Sequence, residues 1–286
     1  MSRRVAITGA SGQLGQQLAA AFGEAGDDVW PLTRPEFDIT RSGDLRRLRD
    51  WSPDVVINSA AWTDVDGCAR DPARATAING TAAGEVAEAA AHAGALTVQI
   101  STNEVFDGSL DRPYTEDDVP NPINPYGASK LLGERLVAAA SRRHLIIRTA
   151  WLFGVSGSNF VTKILAAADR ASAAGVPLRV VGDEWGNPTS TSWLAGVVRA
   201  LVNAALDDVE LVGTWHRAGQ PAASRAAWAR RILQGTDAQI TEISLDEYPR
   251  PSLVPPRATL STARPLGFPV GDWQTETDTV VAGLLS

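Results

Sequence analysis

Apolar positions along this chain alternate between two spacings. Short runs at Arg3–Thr8, Asp28–Leu32, Asp54–Asn58, Leu96–Ile100 and Leu145–Arg148 have the length and composition of buried strands. Between them the apolar residues fall at helical spacing. Gln13–Gly23 carries Leu14, Leu18 and Phe22 on one face, followed by Leu45–Trp51, the Ala-rich stretch Ala73–Ala93, and residues 126–140. Strands that alternate with helices are βαβ units, and they predict a parallel sheet covered by helices on both sides. Residues 1–150 therefore read as one doubly wound α/β domain.

Beyond Trp151 the alternation loosens. Helices are expected at Asn159–Ala174 and Ser192–Ala205, with a strand at Leu178–Val181. Proline then becomes frequent, as in Tyr248-Pro249-Arg250-Pro251 and Pro255-Pro256-Arg257. Residues 151–286 read mainly as a smaller α/β C-terminal lobe for a substrate, with a strand or two returning to the main sheet.

Chemistry enters at the first turn. Thr8-Gly9-Ala10-Ser11-Gly12-Gln13-Leu14-Gly15 has the spacing G-x-x-G-x-x-G, and it lies between the first strand and the first helix. Glycines there permit a tight turn and close approach to a pyrophosphate, and the helix start offers N–H groups to the anion. This marks the sheet as a Rossmann domain, with Gly9, Ser11, Gly12, Gln13, Leu14 and Gly15 as cofactor-binding candidates. A dinucleotide site usually has an acid at the end of the second strand, for the ribose hydroxyls. This chain has Leu32-Thr33-Arg34 instead. An arginine there suits a 2′-phosphate, so NADPH is expected over NADH, with NADH still open. Asp38 and Ile39 follow in the same loop, near where an adenine would lie. Ala60 and Ala61 sit past the end of a later strand, on the ligand-binding edge of such sheets.

Composition narrows the remaining classes. A net charge of −7 in 286 residues provides no basic excess for nucleic acid. Cys68 is the single cysteine, so no intrachain disulfide forms and a reducing compartment fits. Three histidines and one cysteine make a structural zinc site unexpected. No apolar run reaches membrane-spanning length and no leader precedes Val5, so a cytoplasmic protein is expected.

Tyr126-Gly127-Ala128-Ser129-Lys130 places a phenol and an ammonium one helical turn apart. A neighbouring cation favours the phenolate, so Lys130 is expected to lower the proton affinity of Tyr126 and fit it to protonate a carbonyl oxygen. Ser101-Thr102 ends the preceding strand, where a hydroxyl reaches the same crevice. Thr102, Tyr126 and Lys130 are the catalytic candidates, and the last two also count as cofactor contacts.

These motifs together resemble the extended short-chain dehydrogenase/reductase superfamily and, within it, the dTDP-4-dehydrorhamnose reductase family. The resemblance runs through most of the chain. It is carried by the turn Thr8–Gly15, Ala60-Ala61-Trp62-Thr63-Asp64-Val65-Asp66, Ser101-Thr102, Val105-Phe106-Asp107-Gly108 and Pro125-Tyr126-Gly127 through Lys130. Gly133-Glu134, Arg148-Thr149-Ala150-Trp151, Asn159-Phe160-Val161 and Val180 to Thr189 continue it. It implies NAD(P)H-dependent reduction of the C4 ketone of a dTDP-linked 4-keto-6-deoxy sugar, in deoxysugar or dTDP-rhamnose biosynthesis. Tyr126 would donate the proton, Lys130 would also hold the nicotinamide ribose, and Thr102 would orient the carbonyl. Thr63, Asn103, Glu104, Trp151, Asn159 and Arg257 would serve the sugar nucleotide, Arg257 at its phosphates. A homodimer is compatible with the resemblance. Some family members use a divalent metal at glutamates of a dimer contact; those glutamates have no evident counterpart here, and no metal is expected.

One motif departs from the family. Its usual Ser-Thr-Asp-Tyr reads Ser101-Thr102-Asn103-Glu104 here, so a carboxylate replaces a tyrosine of the sugar pocket. Two other readings stay open: a nucleotide-sugar epimerase or dehydratase with tightly held NAD, and a non-catalytic dinucleotide-binding regulatory subunit, as in relatives that assist methionine adenosyltransferase.

Overall fold

The structure, a computed structural model, describes residues 2–264, 267 and 270–285; Met1, Pro265, Leu266, Phe268, Pro269 and Ser286, which fall in the two expected segments, lie outside the described residues. The first half of the chain runs β1 (Arg4–Thr8), α1 (Gln13–Gly23), β2 (Asp28–Leu32), α2 (Ser42–Asp50), β3 (Val55–Asn58), α3 (Val65–Arg70), α4 (Pro72–Ala75), a π turn (Thr76–Thr81), α5 (Ala82–His92), β4 (Leu96–Thr102), a 3-10 turn (Asn103–Val105), α6 (Pro125–Ala140) and β5 (His144–Thr149). The second half adds β6 (Leu152–Phe153), α7 (Phe160–Ala173), β7 (Leu178–Val181), β8 (Trp185–Gly186), β9 (Thr189–Ser190), α8 (Thr191–Asp207), β10 (Gly213–His216), β11 (Ala223–Ser224), α9 (Arg225–Ile232), β12 (Ile240–Ile243) and α10 (Trp273–Leu285).

Six strands form the main sheet in the order β10-β5-β4-β3-β1-β2, and every pairing in it is parallel. β3 and β4 are buried along their whole length, which explains their unbroken apolar runs: helices cover both faces. On one face Val5, Ile7 and Val98 pack with Leu14 and Leu18 of α1 and Leu194, Val198 and Leu201 of α8. On the other, Ala6 and Val56 meet Leu48 of α2 and Val86 and Ala90 of α5. Chain order reverses beside β1, between β2 and β3, and doubly wound sheets open a ligand crevice at such a point.

The helices and strands of the second half divide between two cores, while Ala218, Ala258 and Leu260 pack with Phe106 and Tyr114 in a third. α8 and β10 belong to the main sheet; β10 pairs with β5 from Gly213 opposite Leu145 to His216 opposite Arg148. The other elements surround Trp228, which is fully buried against Phe153, Val161, Ile164 and Trp273.

The expected helix Ala73–Ala93 is interrupted. Residues Thr76–Thr81 form a π turn, and the wider turn carries Asn79 inward. Its amide accepts from Trp62 N (2.8 Å) and donates to Trp62 O (3.0 Å) and Ser129 Oγ (3.1 Å). A Cβ on Gly133 would lie 2.3 Å from Asn79 O, so only glycine lets α6 approach this closely. The interruption fixes α6 against the sheet, and α6 carries the tyrosine and lysine.

Candidate active site

A cavity of about 880 Å³ lies over the carboxyl ends of β1, β3, β4 and β5. Its nucleotide end is built from backbone. Gly9 has φ +67, and a Cβ on it would lie 2.7 Å from Ala60 N, so the turn rests directly on the end of β3. A Cβ on Gly15 would lie 2.3 Å from Gly9 O, which explains the third glycine as helix-to-turn packing. Gly12 is the N-cap of α1 and has no side chain to cap it. The first-turn amides of α1 have no acceptor within the helix, and Gly12, Gln13, Leu14 and Gly15 line the cavity. Positive dipole and orphan donors there fit a pyrophosphate.

Arg34 is exposed at the rim of this end, just past β2. Asp38 lines it too, but its carboxylate is engaged within the loop, accepting from Thr40 N (3.0 Å) and Thr40 Oγ1 (2.7 Å). Those bonds, helped by the charges of Arg41 and Arg34, hold its carboxyl below the usual range against a smaller burial effect. Ile39, Ala60 and Ala61 complete the lining.

α6 delivers the next groups. Asn124 caps it, accepting from Gly127 N at 2.7 Å, and Pro125 occupies its first position. A Cβ on Gly127 would lie 2.0 Å from Glu104 O, so the first turn presses on the backbone after β4. Lys130 Nζ donates to Ile100 O at 2.7 Å. Burial pulls its ammonium down to about 8, against the carboxylate of Glu134. Burial pushes the Tyr126 phenol up, as does the charge of Glu104, while a hydrogen bond with Thr102 pulls it down. The phenol therefore lies above its ordinary range, not below it as expected from the neighbouring Lys130. Desolvation of a buried phenolate dominates, and the ammonium is committed to a carbonyl of β4. Tyr126 is therefore protonated throughout the neutral range, the form that can give a proton. Thr102 Oγ1 lies beside it, accepting from Glu104 N (3.2 Å) and donating to Asn103 Oδ1 (3.3 Å).

Side chains from distant segments build the other end. Thr63, Asn103, Glu104 and Trp151 line it. Glu104 Oε2 accepts from Asn124 Nδ2 at 2.7 Å. Burial raises its carboxyl to about 7; the Asn124 bond lowers it, Glu184 raises it, and Arg250 and Arg225 lower it. Trp151 holds φ +46, a strained conformation for a bulky residue, and its ring is clamped. Trp228 stacks 5.9 Å from it, the Arg225 guanidinium lies 3.6 Å above it, and a Cβ on Gly186 would strike it at 2.3 Å. Asn103 turns away to donate to Ala258 O at 2.9 Å.

Two expected substrate contacts lie outside the cavity lining. Asn159 caps α7, where its side chain accepts from Thr162 N, and it donates to Gly154 O at 2.9 Å. Arg257 is exposed and stacks on Trp185 at 5.2 Å. Four residues near the sugar end were missed. Asn124 had a local signal, since an Asn-Pro pair opening a helix is a capping pattern. Arg250, which donates to Asp66 Oδ1 at 3.0 Å, stands within the Tyr248–Pro251 motif, where the sequence shows no partner for it. Glu184 and Arg225 form an ion pair at 3.0 Å across 41 positions, a spacing with no sequence signature.

The family model described as "RmlD substrate binding domain" matches residues 3–285. A dTDP-4-dehydrorhamnose reductase from Sinorhizobium fredii is 36% identical over 296 residues, covering 99% of this chain and 98% of the relative. The crystal structure of a dTDP-4-dehydrorhamnose reductase from Clostridium acetobutylicum superposes with a TM-score of 0.91 at 34% identity, covering 99% of this chain and 100% of that one. The enzyme of that name from Bacillus anthracis, solved in complex with NADP, superposes with a TM-score of 0.90 at 30% identity and 99% coverage of both chains. Agreement of motif, fold and full-length match has one reading: this chain belongs to the RmlD substrate binding domain family.

Proposed function

We propose that the protein is an NADPH-dependent reductase of the C4 ketone in a dTDP-linked 4-keto-6-deoxy sugar. A single cavity carries the reading, because it gathers the glycine turn, Arg34, the Thr102–Tyr126–Lys130 trio and the Glu104–Trp151 end. NADPH, when bound, supplies the hydride that forms the new C–H bond at C4. Gly9 to Gly15 would hold its pyrophosphate and Arg34 its 2′-phosphate. Thr102 and Tyr126 would hydrogen-bond the ketone oxygen and so polarise the carbonyl. As negative charge develops on that oxygen, the Tyr126 hydroxyl gives it a proton. The resulting phenolate is stabilised by the Lys130 cation and reprotonated from solvent.

Glu104 and Trp151 would contact the sugar. A carboxyl raised to about 7 accepts a sugar hydroxyl when ionised and donates when neutral, so Glu104 would make sugar binding pH-dependent. Relatives named as dTDP-sugar reductases across 99% of this chain support dTDP as the carrier. We place the activity in the cytoplasm, consistent with the single buried cysteine; among the described residues no helix is long and apolar enough to cross a membrane.

The test follows NADPH absorbance with purified protein and a panel of dTDP- and UDP-linked 4-keto-6-deoxy sugars. Turnover of a dTDP-linked ketone, lost in Tyr126→Phe, is expected. Tight NADPH binding without turnover of any sugar would replace this reading with a regulatory one.

A further inference from the structure

The chain carries a buried ion pair behind the cavity that no step above uses. Glu134 lies one turn past Lys130 on α6, as Tyr126 lies one turn before it, so the three form a line along one helical face. Its carboxylate is 5% exposed and has three donors: Ser101 Oγ to Oε1 (2.5 Å), Arg148 Nε to Oε1 (2.9 Å) and Arg148 Nη2 to Oε2 (2.7 Å). Arg148 comes from β5, lies 5.1 Å over the Phe106 ring, and approaches His216 of β10 at 3.4 Å.

A buried carboxylate is costly without such donors, and here they hold it in one place. That place matters because Lys130 is itself buried and, among the described residues, donates to one acceptor, Ile100 O. Desolvation favours the neutral amine, and a nearby fixed negative charge favours the ammonium. We infer that Glu134, locked by Arg148 and Ser101, is a positioning residue that keeps Lys130 charged and so sets the upper pH limit of the reaction. The inference rests on Lys130 being the catalytic cation of the proposed reductase.

The other groups facing Lys130 do not supply this charge. Tyr126, on its own helix, is neutral at working pH, and Ser101, Thr102 and the Ile100 carbonyl of β4 are uncharged. Arg148 of β5 is a cation, and Cys68 of α3 is a buried thiol pushed up to about 11. Glu104, in the 3-10 turn, is a carboxyl raised to about 7 that moves Tyr126 and Cys68, while Glu134 is the carboxylate that acts on Lys130.

Two measurements on wild type, Glu134→Gln and Glu134→Asp test the inference. One is the pH profile of kcat/KM for the sugar substrate. The other is the pH dependence of Lys130 acetylation by trace acetic anhydride, read by mass spectrometry, which needs no turnover. Wild type should lose activity as pH rises through about 8, where Lys130 also becomes reactive. In Glu134→Gln both transitions should move down by about 1 unit or more. Glu134→Asp should keep them within about half a unit of wild type, because the charge is retained. Should Glu134→Gln alone not fold, Glu134→Gln/Arg148→Met leaves no unpaired buried charge and should still show a downward shift, smaller than that of Glu134→Gln because the Arg148 cation is removed as well. Unmoved transitions, or equal shifts in the Gln and Asp variants, would overturn the inference. A wild-type protein that turns over no sugar sinks the proposed function instead, and the acetylation measurement still decides the role of Glu134.

Discussion

The two ends of the cavity are made of different materials. The nucleotide end is mostly backbone: a glycine turn, the start of α1 and the end of β1, all within residues 8–15, resting on the end of β3. The sugar end is side chains: Glu104 held by Asn124, Trp151 clamped by Trp228 and Arg225, and Arg225 held in turn by Glu184. A backbone site is tied to its geometry, because Gly9 and Gly15 tolerate no Cβ. A side-chain site can change ligand with one substitution, and Glu104 occupies the position where the related family usually carries tyrosine.

Breaking the chemistry between the two ends should have the largest effect. Tyr126→Phe removes the proton donor without altering either end, so kcat should fall by about 10²–10⁴-fold while NADPH binding, read by fluorescence, stays near wild type. Next comes the exposed rim of the nucleotide end. Arg34→Ser should raise KM for NADPH by about 10- to 100-fold, the loss of a charged hydrogen bond, and leave KM for NADH nearly unchanged. An equal effect on both cofactors would assign Arg34 no role at the 2′-phosphate.

The sugar end should respond to pH. The folded-state carboxyl of Glu104 sits at about 7, above its ordinary value of 4.5. Folding therefore favours the protonated form. The contribution is fully present below pH 4.5 and is lost as pH rises through about 7. Glu104→Gln removes that loss, so its melting temperature should exceed wild type at pH 8 and match it near pH 4, with a stability difference at pH 8 on the order of 3 kcal/mol. The same variant should flatten the pH dependence of KM for the sugar. Smallest of all, Arg257→Ala should change KM for the sugar nucleotide less than about 2-fold, since an exposed arginine stacked on Trp185 contributes little. A larger loss would bring Arg257 back to the phosphates.

Sequence reasoning reached these two ends unequally. The strands and helices of the first half were legible because their burial is two-sided and periodic; α6, expected over residues 126–140, begins at Pro125. Gly9, Gly12 and Gly15 were legible because the turn dictates glycine at fixed spacing. The π turn at Thr76–Thr81 was not, because an Ala-rich helix shows no local sign of one extra residue per turn. The direction of the Tyr126 shift was misread, since i,i+4 spacing reveals the neighbouring cation but not the desolvation that outweighs it. Asn159 was expected to contact the substrate, but its side chain caps α7. Glu184 and Arg225 meet only after the chain has folded back on itself, so nothing local announces them.

The return of β10 to the edge of β5 bears on how such enzymes can be recombined. A nucleotide-binding module cut after residue 150 would lose β10 and α8, baring the backbone of β5 and the apolar face of α1 that meets Leu194 and Val198. Synthesis from the N-terminus likewise cannot complete the sheet until Gly213–His216 has left the ribosome. Exchange of sugar specificity between relatives is therefore better made by grafting the residues around Glu104, Trp151 and Arg225 than by joining halves. The boundary that looks natural in the amino-acid order runs through the middle of a cooperative unit.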